Sequence, residues 1–194
     1  MKKLDQSFWE NRWVEGNTQW DIGQVSPPLK EIIDSLEDKN IRILIPGAGG
    51  AHEVIYLWEH GLKNVFVCDW AISAFENLFQ KAPDFPKDQC LVCDFFDLNI
   101  EVDLILEQTF FCAIHPSLRP KYAEKTAELL SENGVLTGLF FASNFGFEGP
   151  PFGGYKEEYI AYFELYFTID KIEIANNSIL PRQGNELSFK FVRL

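Results

Sequence analysis

Four groups of residues in this 194-residue chain are of types that bind or react, and each follows an apolar run. Gly47, Gly49 and Gly50 follow Ile43-Leu44-Ile45; Asp69 follows Val65-Phe66-Val67; Asp94-Phe95 follows the run through Cys93; and Glu107-Gln108-Thr109 follows Val102 to Leu106. Glycines let a backbone approach a ligand closely, and an acid about 20 residues further on can accept two hydrogen bonds from a ribose diol. That is the chemistry of a nucleoside site.

The glycine spacing narrows the nucleoside. A dinucleotide fingerprint is G-x-G-x-x-G, whereas here Ala51-His52-Glu53 follows Gly50. Glu53 falls in the first helical turn, where it would oppose a pyrophosphate. A nucleoside without phosphates fits better. S-adenosylmethionine is one: its adenine fits beside Asp94 and Phe95, its ribose on Asp69 and its amino-acid tail at the glycine turn.

Other residues of chemical interest read differently. Trp9, Trp13 and Trp20 lie within twelve positions, and Trp9 and Trp13 share a helix face at i, i+4. They suit either a packing flap or an aromatic lid over a cation, since an indole face attracts a cation by about 0.5–2 kcal/mol. His52, His60 and His115 form no metal set and read as structural. Cys90 and Cys93 make a CxxC, but residues three apart on a strand face opposite ways, so neither metal binding nor redox chemistry is expected.

These groups need elements to position them. Apolar runs alternating with amphipathic stretches predict strands near residues 43–45, 65–67, 89–93, 102–106 and 135–141, and helices near 29–36, 51–60, 71–81 and 117–132. Ser117 is the expected cap of that last helix and Asn133-Gly134 its stop. Residues 142–155, with four glycines and two prolines, predict a long functional loop, followed by a helix over 157–167 and strands over 167–175 and 187–193. The sum is an α/β Rossmann-like three-layer αβα sandwich with a seven-stranded, mostly parallel sheet and an antiparallel closing strand pair. Ligands of such sheets bind beyond the carboxyl ends of the strands, where all four groups lie.

Composition bounds the rest. At this length and 46% hydrophobic content, one domain over 1–194 is expected, with 1–36 as an N-terminal helical lid or cap. A net charge of -12 would repel a nucleic-acid backbone. With no apolar run of spanning length and no signal-peptide core, a cytoplasmic, monomeric protein acting on a small molecule is the expectation, its four cysteines reduced.

The chain also resembles the thiopurine S-methyltransferase family, and within it the branch of plant halide, thiocyanate and thiol methyltransferases. The resemblance is carried by FWENRWVEGNTQWDIGQ near the start, IPGAGGAHE, DFF after the third strand, EQTFFCAIHPSLRPKYA, GPPF at 149–152 and PRQGNE at 181–186. It implies that Trp9, Trp13, Trp20, Gly47, Asp69, Asp94, Phe95 and Gln108 contact S-adenosylmethionine. At Gln108 plant members carry tyrosine and thiopurine-type members arginine, so a neutral glutamine argues against thiopurines. The activity implied is in-line transfer of a methyl group to a small soft nucleophile: a thiol, thiocyanate, hydrosulfide or halide. Orientation alone contributes roughly 7–11 kcal/mol to such a step. Phe110, Phe152, Tyr155 and Arg182 are the expected substrate pocket. Glu107 is a candidate base, or else a carboxylate holding the cofactor tail or a neighbouring amide. Two alternatives stand beside this reading: a nicotinamide-dependent oxidoreductase and a non-catalytic sensor of S-adenosylmethionine.

Overall fold

The computed structural model describes residues 3–194, so the first two residues of the expected lid lie outside it. Seven strands form one sheet: β1 (Ile43–Pro46), β2 (Val65–Asp69), β3 (Cys90–Val92), β4 (Val102–Gln108), β5 (Leu130–Phe141), β6 (Phe167–Ile174) and β7 (Glu186–Arg193). Their order is β3-β2-β1-β4-β5-β7-β6. β1 to β5 run parallel, and β7 lies antiparallel between β5 and β6. The strand order reverses at β1, between β2 and β4, which is where ligands of open α/β sheets collect.

Among the described residues six α-helices complete the fold: α1 (Gln6–Val14), α2 (Pro27–Asp34), α3 (His52–Glu59), α4 (Glu76–Lys81), α5 (Arg119–Leu129) and α6 (Lys156–Phe163). The strands near the middle of the sheet bury residues toward both faces, and β1 is buried throughout, as parallel strands require. On one face Ile33 of α2, Val54 and Leu57 of α3 and Leu78 of α4 pack against Ile43, Ile45, Val65 and Val67. On the other, Tyr122 and Ala123 of α5 and Tyr159 and Phe163 of α6 pack with Leu44, Ile105, Phe140, Phe189 and Phe191. Two cores, one on each face, make the expected three layers.

Two local expectations fail. The stretch near 117–132 is not one helix capped by Ser117. A 3-10 turn (Pro116–Leu118) comes first, capped by the His115 ring, and α5 stops at Leu129. Leu130 is already extended and pairs with Val102, while Asn133 takes a left-handed φ of 60° in an irregular stretch before regular pairing resumes at Val135. Full burial of Leu130 in the sheet outweighs the helix propensity of the polar residues that follow. α6 likewise ends four residues early, because the buried Phe167 opens β6.

Candidate active site

The glycine turn and the acid are joined physically. Leaving β1, Gly47 and Gly49 take left-handed φ values of 75° and 51°, which glycine adopts without strain. A side chain at Gly47 would also crowd Phe110, whose ring carbon Cδ2 lies 3.1 Å from where a Cβ would sit. Gly47 donates its N–H to the Cys68 carbonyl at 2.7 Å, and the Ala48 N–H donates to Asp69 Oδ2 at 2.8 Å. The other Asp69 oxygen accepts from the Ala71 N–H at 2.8 Å. Asp69 therefore holds the turn while each of its oxygens keeps lone-pair capacity. Burial raises its pKa above the ordinary aspartate value, and the backbone amides on its oxygens oppose that rise.

A cavity of about 840 Å³ opens above these strand ends. That is within the range of roughly 300–1,000 Å³ usual for ligand sites. It is lined by all eight residues expected at the cofactor, Trp9, Trp13, Trp20, Gly47, Asp69, Asp94, Phe95 and Gln108, and by Phe110 and Arg182 of the four expected at the substrate. Phe152 and Tyr155 are not on its wall. Tyr155 is 55% exposed, and Phe152 is turned to pack edge-on against His115. The neighbouring Pro150 and Pro151 line the cavity in their place, with Phe141, Phe145 and Phe147.

Each wall has its own support. Asp94 caps a 3-10 turn by accepting from the Phe96 N–H at 2.9 Å, and Phe95 is buried against Phe110 and Tyr122. From the N-terminal segment, Trp20 meets both Trp9 and Trp13 edge to face, at 5.8 and 5.7 Å between ring centroids. This cluster docks on the loop after β2: Gln6 donates to the Trp70 carbonyl at 3.0 Å, and the Ser73 hydroxyl donates to Glu10. Arg12 already lies over the Trp20 ring, so one indole face has a resident cation.

Arg182, between β6 and β7, donates to the Trp20 carbonyl at 2.9 Å and to Glu186 Oε1 at 3.3 Å, tying the N-terminal segment to the far side of the site. A smaller recess of about 50 Å³ lies beside the glycine turn, lined by Gly47 to Gly50, Glu53, Gln108 and Arg182 among others. Burial raises the Glu53 carboxyl above its ordinary range. Gln108 accepts from the Ser26 hydroxyl at 3.0 Å, whereas its Nε2 is buried with no protein partner. A buried donor without an acceptor is costly unless a ligand supplies one, so the site fits a polar ligand at this point.

Glu107 is corrected by its position: it is fully buried behind the wall and does not reach the cavity. Its Oε1 accepts from the N–H groups of Phe110 and Phe111, each at 2.9 Å, and its Oε2 from the Tyr122 hydroxyl at 2.6 Å. Burial raises its pKa to about 7 despite those donors. It shapes the turn that presents Phe110, which is the neighbouring-amide role left open by the sequence. His115, read from the sequence as structural, is the residue whose placement differs most from that reading. It lines the cavity, and the available signal was a polar side chain in the same loop as Glu107-Gln108-Thr109. Among the described residues no cluster of three metal-ligating side chains occurs, and no helix is long and apolar enough to cross a membrane.

Comparison with known proteins agrees with this geometry. A family model described as thiopurine S-methyltransferase matches residues 4–192. Thiocyanate methyltransferase 1 of Brassica oleracea is 32% identical over 192 residues, covering 94% of this chain and 83% of that protein. Probable thiol methyltransferase 2 of Arabidopsis thaliana is 29% identical, covering 96% and 84%. Among solved structures, the 1,6-didemethyltoxoflavin-N1-methyltransferase of Burkholderia thailandensis superposes with a TM-score of 0.77 at 17% identity, covering 98% of this chain and 87% of the other. Magnesium protoporphyrin IX methyltransferase of Synechocystis PCC 6803 gives 0.75 at 14% identity, with both chains covered completely.

Proposed function

The chain belongs to the thiopurine S-methyltransferase family, and from that premise we propose that it methylates a small soft nucleophile: a thiol, thiocyanate, hydrosulfide or halide. It is an S-adenosylmethionine-dependent methyltransferase. Nothing in the family membership supports a nicotinamide oxidoreductase. The observation that carries the choice of acceptor is the cavity wall. Phe110, Phe141, Phe145, Phe147, Pro150 and Pro151 are apolar, and Gln108 is neutral. Such a wall favours an ion or thiolate that gives up its hydration readily.

When bound, the cofactor supplies an electrophilic methyl carbon on a sulfonium. The residues present fit it. Asp69 would accept from the ribose hydroxyls with its remaining lone pairs, while Asp94 and Phe95 would flank the base. The recess beside the glycine turn sets Glu53 and Arg182 on one small volume, offering opposite charges to an ammonium and a carboxylate. The tryptophan cluster supports a role for residues 1–36 as a lid, with Trp9 and Trp13 offering ring faces to a cation. Arg182 contributes positive potential to the acceptor, reduced by its pairing with Glu186. Four free cysteines support a reducing, cytoplasmic setting.

A turnover panel tests the acceptor: iodide, thiocyanate, hydrosulfide, an aromatic thiol and a thiopurine, each with S-adenosylmethionine, with methylated products read by mass spectrometry. The expected result is methylation of one or more of the first four in preference to the thiopurine. A preference for the thiopurine over all the others would overturn the reading of Gln108.

A further inference from the structure

The proton on the His115 ring is placed by its neighbour. The Ser117 backbone N–H donates to His115 Nδ1 at 3.2 Å. An amide N–H has no lone pair to offer in return, so Nδ1 must carry the lone pair and the neutral ring holds its proton on Nε2. The Ser117 hydroxyl, 2.8 Å from the same Nδ1, is free to donate as well. Nε2 makes no hydrogen bond to any described residue, and the ring lies on the cavity wall. His60 is the internal contrast. Its Nδ1 donates to the Tyr56 carbonyl at 2.7 Å, which fixes the opposite tautomer.

A histidine of this tautomer has a donor to offer the cavity, and the other ionisable groups on its wall are engaged: Arg182 donates to the Trp20 carbonyl and Glu186, Arg12 to Gln19, and the Cys68, Cys93 and Cys112 thiols face the carbonyls of Cys93, Leu91 and Thr109. Both Asp69 oxygens and one oxygen of Asp94 accept backbone amides on the nucleoside side, and Glu107 is sealed away. We infer that His115 binds the methyl acceptor as a hydrogen-bond donor to an anion, through Nε2–H, and that the site selects acceptors already ionised in solution. This rests on the reading of the cavity as a methyl-transfer site. A thiol would leave its proton in solvent before binding. The anion's lone pair then forms the bond to the methyl carbon while the carbon–sulfur bond of the sulfonium breaks, its electron pair staying on the departing sulfur. No proton moves in that step.

Nitrogen-15 NMR of the imidazoles in the full chain at about pH 8 reads the tautomers directly. His115 is expected with the proton on Nε2 and His60 with it on Nδ1, and titration with sodium thiocyanate, with and without S-adenosylhomocysteine, should shift the His115 signals. In kinetics, His115→Leu should raise KM for thiocyanate by about tenfold or more, the loss expected for one hydrogen bond to a charged group. kcat and S-adenosylhomocysteine binding should stay within about twofold of the parent. His115→Gln, which keeps an N–H donor, should recover most of the KM. A proton on Nδ1, an unshifted His115 during the thiocyanate titration, or an unchanged KM in the leucine variant would each overturn the inference. A parent that binds no S-adenosylhomocysteine would instead refute the methyltransferase reading, and the titration with thiocyanate alone would still decide the role of His115.

Discussion

Replacing Glu107 by glutamine should change how stability depends on pH without disturbing the turn it supports. Glu107 is completely buried, and its pKa rises from 4.5 to about 7 in the fold. The folded state therefore favours the neutral carboxyl. Its contribution is fully present below about pH 4.5 and is lost as the pH rises to about 7, above which the group is ionised in both states. At roughly 1.36 kcal/mol per pH unit the loss amounts to about 3 kcal/mol. The geometry shows why glutamine is the right probe. Oε1 must accept from two N–H groups, so the proton of the neutral carboxyl belongs on Oε2, where the Tyr122 hydroxyl can turn to accept it. A glutamine amide has the same pattern, its oxygen toward Phe110 and Phe111 and its NH₂ toward Tyr122. Urea denaturation of both proteins from about pH 4.5 to pH 8 should show the variant gaining about 3 kcal/mol relative to the parent across that window. Glu53 and Asp69, also raised by burial, are common to both and cancel in the difference. A difference independent of pH would refute the reasoning.

Two further substitutions test how the site is built. Arg119 is fully buried and donates to Glu158 at 3.0 Å and to the carbonyls of Phe152 and Gly153 at 3.2 and 2.8 Å, so it anchors the loop that carries Pro150 and Pro151. Arg119→Met should cost about 2–4 kcal/mol in denaturant melts, through carbonyls left without a donor, whereas a loss near zero would mean that the loop is held otherwise. Gly138 has φ 148°, and a Cβ there would run into the Glu107 backbone carbonyl across the β4–β5 pairing. Gly138→Ala should lower stability by about 3 kcal/mol or more, and a near-normal melt would contradict that close approach.

What could be read from the chain and what could not follow from the range of the forces involved. Buried runs such as Ile43-Leu44-Ile45 and Val65-Phe66-Val67 carry their own period and end in residues that stop a strand, so the positions and carboxyl ends of these strands were legible. Of the eight positions expected at the cofactor, Gly47, Asp69, Asp94, Phe95 and Gln108 reach one cavity because strand carboxyl ends converge there by topology, while Trp9, Trp13 and Trp20 are brought to it by the docking of the N-terminal segment. The failures depend on tertiary contacts. The end of α5 was set by Leu130 pairing with Val102, 28 residues earlier, which no local signal records. Glu107 looked like a reagent because it ends a strand beside Gln108. One step of strand alternation turns it into the core, onto Tyr122. Phe152 and Tyr155 sit in a loop whose path depends on the distant Arg119 and on the Phe152 N–H donating to the Cys112 carbonyl at 2.7 Å. His115 read as structural because its tautomer, and with it its chemistry, is set by a backbone amide two residues away.

The central claim is that the glycine turn and Asp69 form the floor of a nucleoside site beneath the tryptophan cluster. Calorimetric titration of the parent and of Asp69→Ala with S-adenosylhomocysteine tests it most directly. One site per chain is expected in the parent and affinity at least about tenfold weaker in the variant, since Asp69 holds the turn at Ala48 and, on the proposed reading, would also receive the ribose. No binding by the parent, or equal affinity in a folded Asp69→Ala variant, would contradict it.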